Sequence, residues 1–153
     1  MGSGAVQMQQ SGHVLAFLNG RGITSPVKPH ILFVDDEADW REMLTLYFRH
    51  KGFEVSTAAT VSEAKDWVEH GFYKLIVLDL NLAGEDGLEV LRYVKARSPE
   101  VPVVVFTGID VDENLVKRCL ADRVDGFMRK TGGLESLLTE VRRHLPSLTE
   151  TAP

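Results

Sequence analysis

The sequence predicts an α/β domain in which helices cover both faces of a five-stranded parallel sheet. From His30 onward, five short apolar runs alternate with five segments of helical periodicity. The apolar runs are nearly continuous, which is typical of strands buried on both faces. Strict alternation of strands and helices favours crossover connections between parallel strands. The chain is therefore expected to form a layered α/β sandwich rather than a bundle or a barrel.

The first two strand-helix units are predicted from residue 31 to about residue 70. Residues 31–34 form an apolar run, and Asp36 is expected to cap the helix that Gly52 ends. Residues 53–58 predict the second strand. Thr60 and Glu63 have the spacing of a capping box, in which each side chain accepts a free backbone N–H. The apolar stripe of the first helix is predicted to contain Trp40, Met43, Leu44 and Tyr47.

The other three units follow the same pattern. Residues 75–78, 101–106 and 124–128 are apolar runs that predict strands three to five. Pro99 closes the third helix, and Asp110 with Glu113 predicts the cap of the fourth. The third and fifth helices are marked by stripes of apolar residues: Leu88, Leu91 and Val94, then Leu134, Leu138, Val141 and Leu145. Five units favour a flavodoxin-like sheet of order 2-1-3-4-5, with a site beyond the carboxyl ends of the strands.

The composition limits the classes of function. The chain has 153 residues, of which 44% are hydrophobic and 25% charged, and this is enough for one domain with a full core. A net charge of -5 and scattered basic residues argue against direct binding of nucleic acid. Cys119 is the single cysteine, so no internal disulfide can form. Because no apolar run approaches the roughly 20 residues of a membrane span, we expect a cytoplasmic protein without membrane contact.

Three regions differ in character. Residues 1–29 are rich in glycine and are expected to be a flexible leader or tag, residues 30–145 form the domain, and residues 146–153 form a tail. A second interpretation of the leader is that its apolar cluster at residues 14–18 docks on the domain or on a partner. The tail leaves no room for a further domain, so a stand-alone domain and a fragment both stay open.

Polar residues follow four of the predicted strands. Asp35 and Asp36 follow the first strand, Asp79 the third, Thr107 the fourth and Lys130 the fifth. Each alone has an ordinary explanation as a cap, a turn or a surface charge. Because the carboxyl ends of these strands converge, we expect the side chains to meet in one crevice. Three carboxylates repel each other unless a cation joins them, and their hard oxygens suit Mg²⁺, with Mn²⁺ as a substitute.

This set of groups is suited to binding a phosphoryl group. The metal ion would take one phosphoryl oxygen, Lys130 a second, and the Thr107 hydroxyl with nearby backbone amides the third. Asp79 would be the nucleophile that forms an acyl phosphate. Catalysis would then come from positioning and charge neutralisation by the groups around Asp79.

Residues 30–145 resemble the receiver domain of two-component response regulators. The segment ILFVDDE at residues 31–37 is similar to the first strand and acidic pair of that family. LIVLDLNL at residues 75–82 is similar to its phosphoacceptor strand, and DGLE at residues 86–89 to the start of its third helix. VVFTG at residues 104–108 and DGFMRK at residues 125–130 resemble its fourth and fifth strands. The ordered set is specific, although no single segment is.

The resemblance implies roles and partners. Asp36 and Asp79 would bind Mg²⁺ directly, Asn81 through its backbone carbonyl, and Asp35 through water. A histidine kinase or a phosphotransfer protein would supply the phosphoryl group. A downstream protein or an output domain would respond, and phosphorylation-dependent homodimers would be possible. The domain would assist only its own phosphorylation and dephosphorylation, so it is not expected to be an enzyme. Phe127 would couple the site to the output surface, unless it is an ordinary core residue.

The sequence departs from the family pattern at three positions. Ala83 stands where the family commonly has proline, and Thr131 stands where a cis proline usually follows the lysine. We therefore expect a trans bond before Thr131 and a less rigid Lys130. Phe127 replaces the equally common tyrosine, so it offers no hydroxyl to the output surface.

Two alternatives belong to other classes of function. A degenerate receiver that serves only as an interaction module would lack an acidic or acceptor residue, and none is missing. A phosphatase with an Asp nucleophile would need a second acid two residues further on, where this chain has Asn81.

Overall fold

A computed structural model describes residues 27–145 of the chain. The predicted flexible leader at residues 1–29 lies outside the described part except for residues 27–29, and the predicted tail at residues 146–153 lies wholly outside it. Both stay predictions. Within the described part, no helix has the length and apolar character needed to cross a bilayer.

The main sheet confirms the predicted architecture. Its five strands are all parallel, and their spatial order is second, first, third, fourth, fifth along the chain. A two-stranded antiparallel hairpin, which the sequence did not predict, follows the third strand of the sheet. Numbered along the chain with the hairpin included, the strands are β1 His30–Val34, β2 Glu54–Ala58, β3 Leu75–Leu78, β4 Asn81–Leu82, β5 Glu85–Asp86, β6 Val103–Thr107 and β7 Gly126–Arg129.

Five helices form the outer layers of the sandwich. They are α1 Ala38–His50, α2 Val61–His70, α3 Leu88–Arg97, α4 Glu113–Ala121 and α5 Gly133–His144. Buried side chains of α1 and α5 share one core cluster with Phe33 and Phe106, and those of α2, α3 and α4 share the other with Leu32 and Val105. Both faces of the central strands are thus buried, which explains why their sequences are continuously apolar.

One of the predicted helix caps is confirmed and two are wrong. The Thr60 hydroxyl accepts the Glu63 N–H at 3.1 Å, and the Glu63 carboxylate accepts the Ala59 N–H at 2.9 Å. The fourth helix is capped by Asp112, not Asp110, because the helix begins one residue after Asp112. Asp36 does not cap α1 either, since Glu37 occupies the N-cap of that helix and its side chain makes no capping hydrogen bond. The Asp36 carboxylate is engaged elsewhere, as described below.

The stripe of α1 also differs from the prediction. Met43 is 41% exposed, whereas Phe48, which was not included in the stripe, is fully buried beside Leu44. Phe48 lies four residues after Leu44, so the buried face is rotated away from Met43. The exposed side of α1 therefore carries Met43 and Leu46.

An ion pair between a buried lysine and an exposed aspartate joins α3 to the start of β7. Lys95 is only 6% exposed, and its ammonium lies 2.6 Å from the Asp125 carboxylate and donates to the Val101 carbonyl at 3.0 Å. Asp125 also accepts the Val103 N–H at 2.8 Å. Because the pair is hydrogen-bonded to the backbone as well, it fixes β7 beside β6 at the base of the strands that carry Thr107 and Lys130.

Candidate functional site

The structure brings the predicted polar residues together at the carboxyl edge of the sheet. Asp35 follows β1 directly, Asp79 follows β3, Thr107 ends β6, and Lys130 begins a short 3₁₀ turn after β7. Parallel neighbours in the order β1-β3-β6-β7 place these four ends side by side. All four side chains are buried, whereas those of Asp36 and Asn81 lie nearer the surface.

Asp79 lies at the centre of this group. Its Oδ1 accepts the Thr107 hydroxyl at 3.0 Å and the Asn81 N–H at 3.2 Å. Its Oδ2 accepts a proton of the Lys130 ammonium at 2.8 Å. Both oxygens are thus oriented by donors although Asp79 is only 4% exposed. Such an arrangement holds the Asp79 carboxylate in one orientation.

Lys130 joins three carboxylates. Its Nζ lies 2.7 Å from Asp35 Oδ2, 2.8 Å from Asp79 Oδ2 and 3.1 Å from Glu37 Oε1. Burial alone would lower the pKa of Lys130, but its hydrogen bonds and ion pairs with Asp35 and Asp79 raise it well above the usual range. The ammonium therefore stays charged. The peptide bond before Thr131 is trans, as expected, because the described residues contain no cis bond.

Asp35 is oriented by the start of α1. Its Oδ1 accepts the Glu37 N–H at 2.9 Å, and its carbonyl accepts an N–H of the Arg41 guanidinium at 2.9 Å. Burial raises the pKa of Asp35, and the nearby negative charge of Asp79 adds to this, while the hydrogen bond and charge of Lys130 oppose it. The raised pKa of Asp35 thus reflects mainly the burial of its carboxylate, which disfavours the charged form.

The hairpin after β3 holds Asp36. The Asp36 Oδ2 accepts the Ala83 N–H at 3.1 Å. Ala83 and Gly84 form the turn of the β4-β5 hairpin with φ angles of 54° and 88°. A proline, with its φ near -65° and no N–H, could neither adopt this turn nor donate to Asp36. The left-handed turn and the hydrogen bond to Asp36 thus account for alanine at residue 83, where the family commonly has proline.

We expect substitutions at Ala83 to change stability in opposite directions. Ala83→Gly should raise the free energy of unfolding by about 1 kcal/mol, because glycine adopts the left-handed region without strain. Ala83→Pro should lower it by more than this, since the ring forbids the turn and removes the N–H. Urea unfolding of both variants measures the difference. A Pro variant at least as stable as the Gly variant would contradict the hairpin geometry.

The donor set fits a magnesium ion. Carboxylate oxygens of Asp35, Asp36, Glu37 and Asp79 all lie within 4.8 Å of one another. Oxygen ligands at this spacing suit a hard divalent cation, and the group contains neither histidine nor cysteine, which zinc prefers. Lys130 is the described cation that pairs with these carboxylates, so negative charge remains in excess for Mg²⁺ to balance.

Glu37 is the residue of this cluster to which the sequence analysis assigned no role. It directly follows the acidic pair, and this run of three consecutive acidic residues is the sequence feature from which its place in the cluster could have been predicted. Glu37 is largely exposed, yet its carboxylate reaches the Lys130 ammonium. It therefore extends the acidic cluster toward solvent.

Phe127 lies one strand from Thr107. It stands opposite Val105 in the β6-β7 register and packs, partly buried, against the core cluster that contains Cys119 of α4. This location agrees with both interpretations of Phe127, as a coupling residue and as an ordinary core residue.

Comparison with known proteins identifies relatives for most of the chain. The family model of the response regulator receiver domain matches residues 31–142. The uncharacterized transcriptional regulatory protein YkoG of Bacillus subtilis is 31% identical over 125 residues, which cover 77% of this chain and 51% of YkoG. The regulatory protein VirG of Agrobacterium tumefaciens is 28% identical over 117 residues, which cover 76% of this chain and 43% of VirG. The chain thus spans about half the length of these relatives.

Solved structures show the same fold. The chemotaxis protein CheY4 of Vibrio cholerae superposes with a TM-score of 0.71 and 25% identity over 76% of this chain and 98% of CheY4. The response regulator TrrA of Thermotoga maritima, solved in complex with Mg(2+)-BeF, has a TM-score of 0.69 and 27% identity over 76% of this chain and 98% of TrrA.

Proposed function

Since the chain belongs to the response regulator receiver domain family, we propose that residues 30–145 form a receiver that is phosphorylated on Asp79. The donor is a histidine kinase or a phosphotransfer protein, and the modification switches the interaction surface of the domain. The observation that carries the proposal is the position of Asp79, whose two oxygens are held by Lys130 and Thr107 beside a cluster of further carboxylates.

The proposed transfer needs a nucleophile and charge neutralisation. An Asp79 oxygen attacks phosphorus, the bond from phosphorus to the donor breaks, and the leaving group departs with the bonding electrons. Lys130 and the Thr107 hydroxyl then donate to oxygens of the phosphoryl group. Asp36, Asp79 and the Asn81 carbonyl, with Asp35 acting through water, would hold Mg²⁺, and the ion would supply neutralisation of the negative charge in the site. The Mg(2+)-BeF complex of TrrA supports this choice of metal.

Partners and location follow from the same proposal. Relatives that are about twice as long include the transcriptional regulatory protein YkoG and the regulatory protein VirG, so an attached output domain or a separate target protein would respond to phosphorylation. We place this signalling in the cytoplasm, and dimerisation on phosphorylation is one form the response could take. The competing proposal of a degenerate receiver is disfavoured, because each residue of the acceptor site is present and engaged.

The test is phosphorylation by acetyl phosphate. Intact mass spectrometry should show one added phosphoryl group in the presence of Mg²⁺ and none when the metal is chelated. Substitution of Mn²⁺ for Mg²⁺ should restore labelling. Labelling that is independent of the metal, or that exceeds one group, would contradict an acceptor in the acidic cluster.

The proposed output surface is formed by α4, β7 and α5. Thr107 and Lys130 lie at the ends of neighbouring strands, so a phosphoryl group on Asp79 would attract both. Movement of Thr107 would open space for Phe127 and shift the population of α4 conformations. Amide hydrogen exchange of the labelled protein should change mainly between residues 107 and 131. Changes confined to the loop after Asp79 would contradict this output surface.

A further inference from the structure

We propose that Trp40 is a positioning residue that holds the Lys130 ammonium toward Asp79 through a cation–π contact. The proposal rests on the proposed phosphoacceptor function of Asp79. It assigns a role in that function to a residue of α1 that has no polar contact with Asp79.

The geometry of the contact is well defined. The Lys130 Nζ lies 5.0 Å from the centroid of the Trp40 ring, within the range in which a cation is attracted to an aromatic face. The side chain of Lys130 is 7% exposed, so water screens this attraction poorly. Tryptophan is the aromatic residue that attracts cations most strongly.

Core packing fixes the Trp40 ring. The ring meets Phe106 edge-to-face, with centroids 5.4 Å apart and an angle of 85° between the planes. Phe106 is fully buried in β6 and directly precedes Thr107. The ring that contacts Lys130 therefore packs on β6, the strand that also carries Thr107, whose hydroxyl donates to Asp79.

The backbone around Lys130 explains why such a contact is useful. Lys130 begins a 3₁₀ turn that continues through Thr131 and Gly132, and Gly133 follows with a φ angle of 82°. Two glycines and no proline leave this segment with little intrinsic stiffness. The direction of Lys130 consequently depends on what its side chain contacts.

The ring also differs from the other partners of Lys130. The ammonium nitrogen lies within 3.1 Å of carboxylate oxygens of Asp35, Asp79 and Glu37. When Asp79 carries a phosphoryl group, a phosphoryl oxygen must replace at least one of these carboxylates. An aromatic face needs no N–H donor, so it can hold the ammonium while the acceptors change.

A substitution pair separates this role from simple packing. Trp40→Leu keeps an apolar side chain but removes the aromatic face, whereas Trp40→Phe keeps an aromatic face. We measure the affinity for beryllofluoride by calorimetry at saturating Mg²⁺, together with the affinity for Mg²⁺ alone and the melting temperature. Trp67→Leu is the control, because Trp67 lies on α2 and its indole donates to the Thr57 carbonyl.

The expected result is selective. Trp40→Leu should weaken beryllofluoride binding by about three- to tenfold, Trp40→Phe by no more than about twofold, and neither should change the affinity for Mg²⁺. In a Lys130→Met background, Trp40→Leu should cause no further loss of beryllofluoride affinity. Trp67→Leu should leave all binding unchanged.

Other outcomes would overturn the proposal. If Trp40→Leu and Trp40→Phe weakened beryllofluoride binding equally, and in parallel with a fall in melting temperature, Trp40 would contribute only to packing. An equal effect of Trp40→Leu with and without Lys130 would show that it does not act through the lysine. If the unaltered chain bound no beryllofluoride, the proposed function would fail and the role of Trp40 would fail with it.

Discussion

Replacement of Asp79 by asparagine is expected to abolish phosphorylation and to leave the domain folded. A carboxamide has nearly the shape of a carboxylate, but it is a poor nucleophile and forms no stable acyl phosphate. Loss of a nucleophile typically lowers a rate by more than about a hundredfold. The fold should persist, because Lys130 keeps its ion pairs with Asp35 and Glu37, and Thr107 can donate to the amide oxygen.

The measurement is intact mass after incubation with acetyl phosphate and Mg²⁺. Asp39→Asn provides the matched control, since Asp39 is an exposed carboxylate in the first turn of α1. The control should be labelled like the unaltered chain, and the melting temperature of Asp79→Asn should stay within a few degrees. Equal labelling of the two variants would show that the acceptor is another residue.

The architecture was predictable because burial leaves a direct trace in the sequence. Strands β1, β3 and β6 are buried on both faces, so they appear as the apolar runs at residues 31–34, 75–78 and 101–106, the last of which begins two residues before β6. The strand order then followed from the rules for parallel sheets. The β4-β5 hairpin was not predictable in this way, because its two-residue strands are too short for a pattern and Ala83 gives no sign of a left-handed turn.

The polar residues at the strand ends were also predictable, since parallel topology brings those ends together. Asp79, Thr107 and Lys130 are in hydrogen-bonded contact, as the convergence of the strand ends implied. Their chemical roles stay predictions. Contacts made by long side chains from other elements were not predictable: the distances from Lys130 to Glu37 and to the Trp40 ring depend on rotamers and on the tilt of α1.

The local role of Asp36 was misjudged because sequence spacing alone cannot distinguish two uses of one carboxylate. An Asp before a helix usually accepts an N–H of the first turn. Here Asp36 accepts the Ala83 N–H, which is 47 residues away in the chain. This long-range contact exists only once the hairpin is formed, so no local pattern could reveal it.

The second large effect is expected for Asp36→Ala, which removes a carboxylate of the acidic cluster. Loss of this proposed ligand should weaken Mg²⁺ binding by at least about tenfold. Phosphorylation at a fixed, limiting Mg²⁺ concentration should fall with it. Because Asp79, Thr107 and Lys130 remain in place, a higher Mg²⁺ concentration should restore most of the labelling.

Calorimetric titration of Mg²⁺ measures the affinity, and labelling over a series of Mg²⁺ concentrations measures its consequence. Asp39→Ala is the matched control, because it removes a carboxylate three residues away that lies outside the acidic cluster. Asp36→Ala also leaves the Ala83 N–H without its acceptor in the hairpin. Ala83→Gly alters the hairpin but keeps both this N–H and Asp36. Its titration tests whether a change in the hairpin alone alters the affinity for Mg²⁺. An Asp36→Ala variant that binds Mg²⁺ as tightly as the Asp39→Ala variant would exclude Asp36 as a ligand, and the metal would then have to be held by Asp35, Glu37 and Asp79.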